Sequence, residues 1–83
     1  MDVREKYRER AILFAKEWKE DVSEHIIDIM VSVMMQRDGV QNGGGFVNAV
    51  CNNDLVGAIT RADRECIKHL KLIGLSKVNA FIG

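Results

Sequence analysis

The first 36 residues of this 83-residue chain contain neither glycine nor proline, and proline is absent throughout. With the two strongest helix breakers missing, a stretch of that length whose apolar side chains keep helical spacing is held to helix. The glycines stand at 39, 43, 44, 45, 57, 74 and 83, so the punctuation falls in the second half.

Tyr7, Ala11, Phe14, Trp18 and Val22 recur at spacings of three and four, while Arg4, Arg8, Glu9, Lys16, Glu17, Lys19 and Glu20 take other faces. This is the pattern of an amphipathic helix. Asp21-Val22-Ser23-Glu24 carries a capping-box pattern, with Ser23 a second candidate N-cap. It favours a kink or short break around residues 20–23 over one continuous helix.

Beyond the break, Ile26, Ile29, Met30, Val33 and Met34 form one stripe, and Ile27, Val31 and Met35 make the remaining faces apolar too. A helix apolar nearly all round must be covered nearly all round. A chain this short buries only about two-thirds of its unfolded surface. The segment is therefore expected to form a homo-oligomer interface through Ile26, Ile29, Met30, Val33 and Met34, the alternative being the central core helix of one chain.

The loop at residues 37–45 contains the turn dipeptides Asp38-Gly39 and Asn42-Gly43, with Gly39 suited to the left-handed position that ends a helix. Three short helices are expected after it: 45–52; 55–62, capped by Asn53 or Asp54; and 64–73, capped by Asp63 and stopped by Gly74. Ser76 is a candidate cap for a last turn ending in Phe81 and Ile82. β-Branched and polar residues never alternate over a useful length, so strands are not expected. The fold class is all-α in one domain, comprising a scaffold at 1–36, a glycine-rich loop at 37–45 and a short-helix array at 46–83.

Composition narrows the function classes. Twelve basic and twelve acidic residues give no overall pull toward nucleic acid or anionic lipid. The longest apolar stretch, Ile26 to Met35, is interrupted by Asp28 and Ser32 and is about half a bilayer span. No membrane association is expected. Cys51 and Cys66 form no CxxC pair, and a charged helical opening replaces a secretory leader, so reduced thiols in a cytoplasmic protein are expected.

Gly43, Gly44 and Gly45, directly before a helix start, could direct backbone N–H groups at a phosphate. They match neither nucleotide-binding glycine motif, and a flexible connector or close helix contact is the favoured reading. His69 follows Cys66 by three residues, and Cys51 and His25 offer further ligand types, but only one tight pair exists, so no metal or other cofactor is expected. A Cys–His nucleophile lacks an orienting third residue, and no enzyme is expected. A DNA-binding helical array using Arg61, Arg64, Lys68, Lys71 and Lys77 is opposed by the interleaved Asp54, Asp63 and Glu65.

The stretch from Asp38 to Asp63, with Gly44-Gly45-Phe46-Val47-Asn48-Ala49-Val50, then Asn53-Asp54-Leu55, then Arg61-Ala62-Asp63, resembles a family of short tailed-phage and prophage proteins with GG-F-x-x-AV, NDL and RAD blocks. The likeness covers about a third of the chain and excludes the N-terminal helix. The family's aromatic-rich tail is replaced here by Lys71-Leu72-Ile73-Gly74-Leu75. The resemblance implies a noncatalytic accessory protein acting in the host cytoplasm, with a host protein as partner. A nucleotide held at a subunit junction is the alternative. The candidate binding residues are Gly43, Gly44, Gly45, Asn48, Arg61 and Arg64.

Overall fold

The computed structural model describes residues 3–78, and these form six α-helices with no strand. The helices are α1 (Val3–Glu17), α2 (Glu24–Arg37), α3 (Gly45–Cys51), α4 (Leu55–Arg61), α5 (Arg64–Lys68) and α6 (Leu70–Val78). Among the described residues no helix is long and apolar enough to cross a membrane.

The expected interruption after the first helix is a full break. Lys19 takes a left-handed conformation (φ 55°), Lys19 N–H donates to Lys16 O and Glu20 N–H donates to Ala15 O, each at 3.0 Å. This paired closure satisfies carbonyls that the helix end leaves open. Ser23 then caps α2, its hydroxyl accepting from Ile26 N–H at 3.4 Å. Gly39 (φ 75°) ends α2 by the same closure, with Gly39 N–H on Gln36 O and Val40 N–H on Met35 O. Asn53 (φ 60°) does likewise after α3, which leaves Asp54 as the cap of α4, accepting from Gly57 N–H at 3.0 Å.

Helix α2 is the axis of the core. α1, α3 and α6 all pack on it, and Ile26, Met30, Val31, Val33 and Met34 are wholly buried, with Leu72 and Ile73 of α6 equally so. This corrects the expected oligomer interface. Ile26, Met30, Val33 and Met34 are covered by the chain's own helices and leave no surface for a second copy, while Ile29 is half-buried beside them. Short connections let three helices surround one, so a chain of this size covers its most apolar segment unaided. Tyr7, Ala11 and Phe14 face the core as their spacing predicts. Trp18 does not, because α1 ends at Glu17 and turns the indole outward.

The expected helix at 64–73 is instead two. α5 stops at Lys68, and α6 runs from Leu70 through Gly74 and Ser76 without pause. His69, at the junction, is buried and places Nδ1 2.7 Å from Glu20 Oε1. That anchor fixes the bend and lets Leu72 and Ile73 both reach the core. Ser76 is not a cap, since its hydroxyl donates back to Ile73 O at 2.6 Å within α6. Phe81 and Ile82 lie outside the described residues.

Candidate functional site

Small side chains where α3 and α4 approach α6 leave an open apolar groove of about 490 Å³. Ala49, Ala58 and Gly74 contribute its small residues, Val50, Leu55, Leu70 and Leu75 its larger apolar lining, and Asn53, Asp54 and Lys71 its polar members. Lys77 Nζ donates to Asn53 Oδ1 at 2.6 Å and ties the end of α6 to the α3–α4 turn. Arg37 Nη1 donates to the carbonyls of Ser76 and Lys77 at 3.2 Å, fastening the same end of α6 to α2. A cation there also suits the negative end of the helix.

Helix α4 packs chiefly on α3, buries its small residues Gly57 and Ala58, and leaves its large ones outside. Leu55 is 63%, Val56 71% and Ile59 46% exposed, and Leu55 and Ile59 share one stripe at i,i+4 spacing. Trp18 adds a further half-open aromatic, with Lys71 Nζ 5.6 Å from its ring centroid. Exposed apolar side chains on a helix that lines an apolar groove with a few polar groups have the character of a protein-binding face.

The glycine corner is organised otherwise than its sequence suggests. Gly43 N–H donates to Gln36 Oε1 at 2.6 Å, Gln36 Nε2 donates to Asn48 Oδ1 at 2.5 Å, and Asn48 Nδ2 donates to Gly43 O at 3.5 Å. This ring engages the first of the three glycine N–H groups and both ends of the Asn48 amide. Gly45 instead lies against Arg61, where a Cβ would sit 3.0 Å from Arg61 Cδ. Arg61 Nη1 donates to Gly57 O at 3.2 Å. The structure thus joins Gly43 with Asn48 and Gly45 with Arg61. Arg64 is not drawn in, for its sequence neighbours Asp63 and Glu65 hold the start of α2 through His25 and Ser23.

The thiols and imidazoles separate into different settings. Cys51 Sγ donates to Val33 O at 3.5 Å, and burial pushes its thiol up. His69 is held by Glu20. His25 Nε2 lies 2.8 Å from Asp63 Oδ2, and Cys66 N–H donates to Asp63 Oδ1 at 2.8 Å. Burial, aided by Asp63, pushes the Cys66 thiol up to about 11. A nucleophilic cysteine needs the opposite shift.

Leu55, Val56, Ala58 and Ile59 are not among the binding residues expected from the sequence. The available signal is the run Leu55-Val56-Gly57-Ala58-Ile59, where burial of the small Gly57 and Ala58 leaves the larger neighbours on the outer side of the helix. No known protein family, curated protein or solved structure matches the chain.

Proposed function

We propose that the chain is a noncatalytic binding module that seats an apolar segment of another protein in the groove between the α3–α4 pair and α6. The observation that carries this reading is the run of exposed Leu55, Val56 and Ile59 beside an apolar groove, on a helix whose small residues face inward. Burying such side chains yields about 1.5–3 kcal/mol each, enough for a few of them to anchor a partner. Lys71 and Asp54, both lining the groove, supply opposite charges that orient the bound segment. The phage resemblance supplies the setting in this proposal: a host protein as partner, in the host cytoplasm.

The test is affinity capture from host lysate with the wild-type chain, Leu55→Asp and Ile59→Asp. The reading expects one protein retained by the wild type and lost from both variants while their helical circular dichroism is unchanged. Retention by all three chains contradicts it.

A nucleotide-binding reading has one observation in its favour, the Arg61 side chain laid on Gly45. Calorimetry against linear and cyclic nucleotides tests it, and heat that disappears in Arg61→Ala is its required sign.

A further inference from the structure

The junction of α2 with α5 gathers three different metal-binding side chains from two helix starts. The ligand atoms of His25, Asp63 and Cys66 all lie within 4.8 Å of one another. We propose that these three residues form a binding site for a zinc-like divalent metal, independent of the groove.

Geometry and chemistry agree on the class of ion. Ligand atoms around one tetrahedral zinc stand about 3.4–3.8 Å apart, given bonds of about 2.0–2.3 Å. His25 and Asp63 are exposed, so small rotations bring their donor atoms to that spacing while Cys66 stays fixed in the core. Asp63 divides its work between its two oxygens. Oδ1 caps α5 by accepting from Cys66 N–H, and Oδ2, now facing His25, is the metal-directed atom. The cap spacing of three residues places Cys66 on the same side of α5 as Asp63. His25 is set by the capped start of α2, where the Ser23 hydroxyl also donates to the Glu65 carboxylate.

Imidazole with thiolate favours zinc-like ions over calcium or magnesium, which take oxygen ligands. Thiolate and carboxylate together neutralise a divalent charge. Three protein ligands on a surface junction leave the fourth position to water.

Titration of the reduced, full-length chain with cobalt(II), followed by zinc(II), tests the site. The proposal expects saturation at one equivalent, with a sulfur-to-cobalt charge-transfer absorption that zinc abolishes. Cys51→Ser should keep that absorption and Cys66→Ser should lose it. His25→Ala and Asp63→Asn should each weaken cobalt binding at least about tenfold. Asparagine remains a good N-cap, so Asp63→Asn keeps α5 folded and decides the matter even if Cys66→Ser unfolds. Cobalt binding without the sulfur absorption, or with an absorption undiminished in Asp63→Asn and His25→Ala, overturns the proposal.

Discussion

Tyr7 Oη donates a 2.9 Å hydrogen bond to Asp38 Oδ2 across 31 residues of sequence, fastening α1 to the C-cap of α2. The neighbouring Arg8 reaches Glu24 at the other end of α2. The two contacts lay α1 across the axis of the core. Arg8 and Glu24 are solvent-exposed enough to add little, whereas Tyr7 is buried and its hydroxyl meets a charged acceptor. Tyr7→Phe should therefore cost about 1–2 kcal/mol in urea unfolding, with the slope unchanged.

Acid should weaken the same junction. The Arg37 guanidinium beside Asp38, helped by the Tyr7 hydroxyl, holds its carboxyl below the usual carboxylate range, against the opposing effect of burial. A carboxyl depressed by folding stabilises the fold above its unfolded value, near 4, and that contribution is lost as pH falls through the folded value. Tyr7 behaves in mirror image. Burial, then the bond to Asp38, raises its phenol, so its contribution is whole below about pH 10 and is lost as pH rises through the folded value. Unfolding of wild type and Asp38→Asn across pH should show a stability gap that is steady near neutrality and narrows below about pH 4.

Core substitutions should separate residues that the sequence pattern treats alike. Met30 is wholly buried and Ile29, its neighbour, only half-buried. Met30→Ala should cost about 2–5 kcal/mol, a large part of the roughly 5–15 kcal/mol that holds a domain together. Ile29→Ala should cost about 1 kcal/mol. Chemical denaturation of the two variants checks the order, and sedimentation of Met30→Ala, where still folded, should match the wild type.

Two glycines should respond in opposite directions to alanine. Gly74 lies inside α6, and a Cβ there meets nothing within 4 Å, so Gly74→Ala should stabilise by about 0.5–1 kcal/mol. Gly39 also has open space, but its φ of 75° strains any side chain, and Gly39→Ala should destabilise by about 1 kcal/mol. Thermal melts should move up for the first and down for the second.

These two positions also mark how far local sequence rules reach. Gly39 ends its helix as expected because the left-handed closure is a local event, complete within six residues. Gly74 was expected to do the same, yet buried Leu72 and Ile73 on one side and Ser76 on the other make continuing α6 worth more than stopping it. Lys19 shows the converse, ending α1 in a left-handed conformation that its residue type does not advertise. The glycine corner was visible as a cluster, but the closing ring depends on Gln36, from the preceding helix. The groove was not visible at all. It arises from the long-range meeting of Ala49, Ala58 and Gly74, small residues that carry no periodic signal.

The central claim is that the α4 face and its groove hold another protein. A photo-crosslinking residue placed at Ile59 in the groove-side stripe, and in a second chain at exposed Arg10 on α1, tests it directly in intact cells. The account predicts one crosslinked adduct from position 59 that disappears when Leu55→Asp is added, and none of that mass from position 10. Equal adducts from both positions, or an adduct at 59 indifferent to Leu55→Asp, would contradict it.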